Sequence, residues 1–551
     1  MLVPKLYTTL KSYTKQQFYK DVFAGLIVGI VALPLAIAFG IASGVSPEKG
    51  IITAIIAGFI ISSLGGSKVQ IGGPTGAFIV IVFGIVQKYG LDGLMIATIL
   101  SGIILILMGF LKLGTLIKFI PLPIITGFTS GIAVIIFFTQ IKDLLGLQIA
   151  ELPSELLEKI PVYFENILSF NLPTVLLSTG SILMITVLPR FTKKIPATII
   201  ALVLGTAVAY FFNLNVETIS SKFGVIANTF PSPSVPGITY DKIYNLIGPS
   251  FTIALLAAIE TLLSAVVADG MIGGRHRSNM ELVANGAANL VTPLFGGIPA
   301  TGAIARTVTN IKNGGRTPVA GIVHSITLLL IMIFFGQYAG MIPLCVLASI
   351  LVIVAYNMSE WREFIAQLKM PKSDVAVLIT TFTLTVLFDL TIAIEVGMIL
   401  SALLFMNRMA QVTNIGIIKR EFDEGDAVET MENSNLNIPD GVIIYEVNGP
   451  FFFGAASKFK EASRIVNENV KVMIMRLRNV PAIDSTGLNT IEDFYDDCKK
   501  HNIVLILSAL HTQPLFAAEK SGLIDKIGRE NICGDIDDAL TRARKILKIA
   551  I

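Results

Sequence analysis

Charge is what this chain has least of: 15% of its 551 residues are Asp, Glu, Lys or Arg, against about 25% in an ordinary soluble domain. The two signs nearly cancel, 42 Lys+Arg against 39 Asp+Glu, which excludes a nucleic-acid binder built on a basic excess. Cysteine is scarce as well. Cys345, Cys498 and Cys533 are too few and too scattered for a disulfide framework. The four histidines, His276, His324, His501 and His511, show no metal-ligand spacing with them, so no metal and no other cofactor is expected. No Ser/His/Asp or Cys/His set and no phosphate-binding glycine loop is visible, and enzyme chemistry is not expected either.

What the chain has instead is apolar sequence, 53% of it, with a mean hydropathy of +0.74. Its partner is a lipid bilayer. Hydrocarbon about 30 Å thick takes roughly 20 residues of helix, fewer where a helix is broken. Apolar runs of that kind lie at 22–42, 51–64, 74–88, 94–111, 116–140, 173–189 and 195–212, then at 249–268, 281–294, 300–312, 318–335, 341–356, 374–388 and 390–407. The pattern predicts an α-helical polytopic membrane protein of fourteen transmembrane segments. The run that begins at Val22 is too long for a secretory leader and reads as a retained first span. With the N-terminus inside, 18 loop and terminal cations fall on the inner face and six (Lys49, Lys88, Lys142, Lys159, Lys222, Lys242) on the outer, as the positive-inside rule requires. Both termini are then cytoplasmic.

From Gln411 onward charged residues return every few positions. The expected domains are therefore a cytoplasmic segment 1–20, a membrane domain 21–410, a solvated linker 411–436 and a soluble module 437–551. The module alternates strand and helix signals and reads as a small α/β domain.

An internal repeat carries the most information. Gly72-Gly73-Pro74-Thr75-Gly76-Ala77 recurs as Gly296-Gly297-Ile298-Pro299-Ala300-Thr301-Gly302-Ala303; matching Thr75 to Thr301 gives an offset of 226, and Ile120-Pro121-Leu122 against Ile342-Pro343-Leu344 gives 222. Repeats of about 21–212 and 249–408 each hold seven spans, an odd number, so the two copies face opposite ways in the membrane. Runs 74–88 and 300–312 are too short to span alone and read as half-helices. Proline suits the first turn of such a helix. Inversion points the two N-termini at one another, each with free N–H groups and about half a positive charge. An anion held by Thr75, Gly76 and Ala77 from one copy and Thr301, Gly302 and Ala303 from the other is the expected cargo.

Two buried charges accompany these half-helices. Arg306 is a cation well inside a span, which costs about 3 kcal/mol unless it faces a cavity or partner; either a bound anion or Glu260 could serve. Glu260 lies in an otherwise apolar helix, where a carboxyl is cheaper with its proton on, and so suits a proton carrier. Ser264 shares its face one turn on. Asp269, Asp389 and Glu395 near span ends read as hydrated or loop-capping carboxylates, and His324 as a satisfied packing histidine.

At these residues the chain resembles the SulP anion-transporter family: Asp21-Val22-Phe23-Ala24-Gly25 through Ala32-Leu33-Pro34, Gly73-Pro74-Thr75, Ala257-Ala258-Ile259-Glu260-Thr261, Ala305-Arg306-Thr307 and Gly315-Arg316-Thr317-Pro318. The resemblance implies seven plus seven inverted repeats, a core domain moving against a gate domain in an elevator motion, and a homodimer. It also implies an anion bound between spans three and ten, with Phe39, Thr75, Ala305 and Arg306 at the family's binding positions. Related bicarbonate carriers place Asp where this chain has Glu260 and bind sodium with it and a following hydroxyl, here Ser264; the departure favours protons. In the soluble module, Ile483-Asp484-Ser485-Thr486-Gly487-Leu488 resembles the loop of the STAS domain, whose antagonist relatives are phosphorylated on a hydroxyl corresponding to Ser485 or Thr486. The function implied is secondary active transport of sulfate, a C4-dicarboxylate or bicarbonate in a bacterial inner membrane, coupled to protons. Alternatives are a sodium-coupled bicarbonate symporter, a nucleobase-type carrier and an anion channel.

Overall fold

In hydrocarbon a backbone N–H or C=O finds a partner only within its own chain, so an apolar run closes into a helix. The computed structural model describes residues 2–115, 121–149, 152–153, 156–191, 196–224, 229–237, 239–388, 390–418, 437–462 and 470–548. Over the described residues, each of the fourteen apolar runs contains a helix. These are α1 (Lys15–Ala42), α2 (Pro47–Leu64), α3 (Ile79–Phe110), α4 (Leu122–Leu145), and, after the shorter amphipathic α5 (Leu156–Asn166), α6 (Leu172–Val187) and α7 (Ala197–Phe211). The second half supplies α8 (Tyr240–Ile272), α9 (Ser278–Val291), α10 (Ile304–Lys312), α11 (Val319–Ala339), α12 (Leu344–Met358), α13 (Lys372–Leu387) and α14 (Leu390–Val412). Among the described residues, nine helices are long and apolar enough to cross a membrane. The other runs form shorter helices, so helix length alone does not set the number of crossings at fourteen.

Runs 74–88 and 94–111 share α3, which is two helices meeting at Gly90 (φ 69°, ψ −173°). These angles belong to a region open essentially to glycine alone. Space is not the reason for the glycine, since a Cβ there would meet nothing within 4 Å.

The foot of α1 is fastened to the loop that follows α10. Asp21, 0% exposed, accepts hydrogen bonds from Tyr13 Oη (2.9 Å), Gln17 Nε2 (2.9 Å), the Arg316 N–H (2.8 Å), the Thr317 N–H (3.3 Å) and Thr317 Oγ1 (2.5 Å). A buried carboxylate so supplied with donors needs no cation beside it.

The chain divides into two compact units, Met1–Ile399 and Leu400–Ile551. In the second, a five-stranded sheet runs β3 (Asn414–Ile418), β4 (Val442–Asn448), β5 (Val472–Asn479), β6 (Val504–Ser508), β7 (Ile532–Cys533), in that order. β3 is antiparallel to β4 and the remaining neighbours are parallel. Parallel neighbours need crossovers, and these carry α15 (Phe453–Ala462), α16 (Ser485–Lys500) and α17 (Thr512–Lys520), with α18 (Ile536–Leu547) after the last strand. Alternate residues of β4 feed opposite faces: Tyr445 packs with Phe459 and Phe494, Ile444 with Leu540 and Ala543.

One expectation is corrected here. Residues 411–436 were assigned to a linker, yet 414–418 form the edge strand β3; Ile415, Ile417 and Ile418 are the β-branched signal, overshadowed by the charged run that follows it. Residues 419–436 of that linker, and Asp389, lie outside the described residues.

Because Gly90 is required by backbone angles and not by space, Gly90→Ala is expected to lower the thermal unfolding midpoint of the purified protein, at a cost of about 1–3 kcal/mol. Gly84→Ala, in open space on the same helix, is the control expected to leave the midpoint in place.

Candidate functional site

Two glycine-rich loops meet in the interior of the first unit. β1 (Gly72–Gly73) and β2 (Thr301–Gly302) pair antiparallel, Gly72 opposite Gly302 and Gly73 opposite Thr301. Antiparallel chains run past one another, so the helices that follow leave in opposite directions from adjacent starts. The first start is the turn Gly76–Phe78 leading into α3; the second is α10. The leading N–H groups of each have no intrahelical acceptor, and neither Thr75 nor Ala303 closes them with a side-chain cap. Each end therefore carries about half a positive charge toward the space between them.

The pairing corrects two details of the repeat. It is self-symmetric when Gly72 corresponds to Thr301 and Gly73 to Gly302, an offset of 229 (301 − 72), so Thr75 matches Ile304 and not Thr301. Matching by residue type had hidden three extra residues in the second copy. Nor do the prolines open the helices. Pro74 follows β1 and Pro299 precedes β2, while the helical turns begin at Gly76 and Ile304.

Around the first tip, Thr75 donates its hydroxyl to Glu260 Oε2 at 2.8 Å. Gly76 and Ala77 are buried, and a Cβ on Gly76 would lie 3.6 Å from Phe39 Cε1, 3.5 Å from Met358 Sδ and 3.7 Å from Ile136 Cδ1. The structure thus brings Phe39, Thr75, Gly76, Ala77 and Glu260 together. At the second tip, Thr301, Gly302 and Ala303 are engaged in holding the pair. Thr301 Oγ1 donates to the Ala257 carbonyl (3.0 Å), the Gly302 N–H to Thr261 Oγ1 (3.0 Å) and the Ala303 N–H to the Ile71 carbonyl (2.8 Å). Ile304 and Ala305 are the exposed face of that tip.

Arg306 is 3% exposed. Its guanidinium donates to the Pro74 carbonyl and, at 3.5 Å, to that of Gly72. Gly73, at φ 150°, leaves it room: a Cβ there would lie 2.2 Å from Nη1. The arginine of one repeat therefore grips the loop of the other. No ion pair within 4.0 Å joins it to Glu260 among the described residues, and backbone carbonyls leave its unit charge uncompensated. Ser264, expected beside Glu260, instead donates to Thr307 Oγ1 at 3.3 Å.

The sequence reading passed over a polar stripe on α9. Glu281, Asn285 and Asn289 are each 0% exposed, and their spacing of four puts them on one face. Asn285 Nδ2 donates to Thr261 Oγ1 (2.7 Å); Asn289 donates to the Ala300 carbonyl (2.8 Å) and accepts from its N–H (2.9 Å). Glu281 Oε2 accepts from the N–H groups of Gly66 and Ser67. That periodicity, inside a run taken as apolar, was the available signal.

His324 is buried, but neither ring nitrogen has a partner, so it is not a satisfied packing histidine. Asp269 is engaged as a loop carboxylate, accepting from the His276 N–H and meeting its Nδ1, both at 2.7 Å, and His276 Nε2 lies 2.9 Å from Ser278 Oγ. This Asp–His–Ser chain went unnoticed in the sequence; its imidazole is 6% exposed and it fastens the start of α9. In the second unit Ser485 and Thr486 are exposed on the first turn of α16, beside Asp484, which caps the Gly487 N–H at 2.8 Å.

A bundle of apolar helices around two opposed helix ends, followed by a small α/β module, defines a polytopic membrane transport protein. The chain belongs to the sulfate permease family, whose profile matches residues 18–381; the STAS domain profile matches 433–539. It is 41% identical over 531 residues to a putative sulfate transporter, YvdB, of Bacillus subtilis (96% of this chain, 98% of that one). It is 29% identical over 539 residues to the bicarbonate transporter BicA of Picosynechococcus (95% and 94%). Among solved structures, murine Solute Carrier 26 family member A9 has the same fold at TM-score 0.88 and 18% identity, over 99% of this chain and 94% of that one. The transmembrane domain of a cyanobacterial BicA matches at TM-score 0.62 and 28% identity, covering 71% and 98%.

A cavity of about 350 Å³ lies elsewhere, among Leu33, Leu202, Tyr210, Met332 and Phe335; its apolar wall offers an anion nothing. The contact between Gly73 and Arg306 is the testable joint. Gly73→Ala is expected to dislodge the guanidinium and weaken sulfate binding by roughly tenfold or more, read by titrating sulfate in a thermal-shift assay of the purified protein.

Proposed function

We propose that the protein is a secondary active transporter of a small oxyanion, of the sulfate, bicarbonate or C4-dicarboxylate kind, that moves its cargo together with protons. The observation that carries the reading is the β1–β2 pair, which sets two helix N-termini tip to tip beside the uncompensated charge of Arg306. Neighbours named as sulfate and bicarbonate transporters support the anion class.

The contact between Thr75 and Glu260 supports the coupling. While Glu260 is ionised it accepts the Thr75 hydroxyl hydrogen. Once protonated, the carboxyl becomes a donor, Thr75 can accept from it, and the threonine hydrogen is released toward the anion at the helix tip. Proton and anion then favour each other's binding, which is the sign that symport needs. Ser264 turns its hydrogen to Thr307, and the hydroxyl that meets Glu260 is that of Thr75. Alternating access by an elevator motion, a homodimer, a bacterial plasma membrane and cytoplasmic termini belong to the same proposal.

Uptake of labelled sulfate, bicarbonate and fumarate into proteoliposomes under an imposed proton gradient, with a sodium gradient as the contrast, tests it. Arg306→Ala is expected to weaken binding of every anion, whereas Glu260→Gln is expected to keep binding and lose the dependence of uptake on pH. A Glu260→Gln variant with unaltered pH dependence rules out the proton role.

A further inference from the structure

We propose that Lys159 forms a second site for the same small oxyanion, a receptor at the face of the protein opposite the N-terminal segment; the inference rests on the transport reading above. Lys159 lies on α5, a short amphipathic helix between α4 and α6. Leu156, Lys159 and Tyr163 are its buried residues, while Glu158 and Glu165 are exposed. The usual arrangement is inverted: the acids face out and the cation faces in.

Lys159 is 1% exposed. Among the described residues its ammonium meets the ring of Phe83, 5.7 Å to the centroid, and no carboxylate within 4.0 Å. Burial pushes it down to about 8. A cation over an aromatic ring recovers only part of what an unpaired buried charge costs. Packing alone would be served better by methionine. An ammonium kept here at that cost is explained by an anion that visits it. Of the six lysines expected on that face, Lys49, Lys142, Lys222 and Lys242 each have an oxygen partner, and Lys88 is exposed.

Its place on the route supports the same conclusion. Phe83 is seven residues past Gly76, about 10 Å along the half-helix from the tip where the first site lies. α4, whose Ile136 adjoins Gly76, leads into α5. The first half of α3 is thus met by α4 near its tip and by Lys159 two turns on. A second orphan donor lies one residue from a contact of the same ring. The Ser43 hydroxyl is buried without a partner, and a Cβ on neighbouring Gly44 would lie 3.0 Å from Phe83 Cδ2. An oxyanion accepts from both an ammonium and a hydroxyl.

The test is the kinetics of sulfate uptake by cells expressing the full chain. Lys159→Met is expected to raise KM about tenfold, the weight of one charge-assisted hydrogen bond, with Vmax close to that of the parent; Lys159→Arg is expected to restore KM. Tyr163→Phe removes the hydrogen bond from α5 to the Phe138 carbonyl (2.7 Å) and is expected to leave KM unchanged. An unchanged KM in Lys159→Met, or the same rise in Tyr163→Phe, overturns the proposal and makes Lys159 a packing residue. If the methionine variant does not reach the membrane, Lys159→Gln is read by the same two outcomes. Should the parent chain take up none of the three anions, the transport reading fails; parent uptake with an indifferent Lys159 sinks only this inference.

Discussion

Everything at the site depends on four residues of extended backbone. In an interior otherwise made of helices, Gly72–Gly73 and Thr301–Gly302 form a two-rung antiparallel ladder. It fixes the separation and the opposed directions of the two helix starts. Few side chains could sit there, because the backbones must approach closely and Arg306 must pass over Gly73. The ladder is small, and the surrounding polar network makes up for that: Thr261, Asn285, Asn289 and Thr307 supply the hydrogen bonds that two such short strands cannot.

The electrostatics follow from that construction. Helix ends and a guanidinium that spends its hydrogens on neutral carbonyls set up a positive potential, and Glu260 meets it through the Thr75 hydroxyl. Glu260 is close enough to hold Thr75 yet forms no ion pair with Arg306. The cation holds the carbonyls of Gly72 and Pro74, and the acid holds the hydroxyl of Thr75 next to them in the chain.

Much of this was legible in the sequence because hydrocarbon imposes strict rules. Apolar runs had to be helices, and over the described residues each one contains a helix. The repeat announced that two broken segments would meet, and Thr75, Glu260 and Arg306 stood out as polar groups inside those segments. The misreadings share one cause, which is that residue type does not specify direction. Arg306 stands inside a span, but only the structure shows that its long side chain passes over Gly73 to the carbonyls of Gly72 and Pro74. Ser264 shares a helix face with Glu260, yet its hydroxyl faces the neighbouring helix. The proline echo was real as a resemblance and off in register, because an antiparallel pair is aligned by backbone geometry. The stripe Glu281, Asn285, Asn289 was overlooked because a span count asks how apolar a run is and not which face its polar residues share.

Asp21 has a consequence for movement. Five uncharged donors from two distant stretches of chain converge on one carboxylate, and drawing those stretches apart would strip it of three of them. The foot of the helix that bears Phe39 is therefore pinned to the loop that follows the helix bearing Arg306. Any relative displacement of those two segments has to pivot about this carboxylate or break its bonds to Arg316 and Thr317.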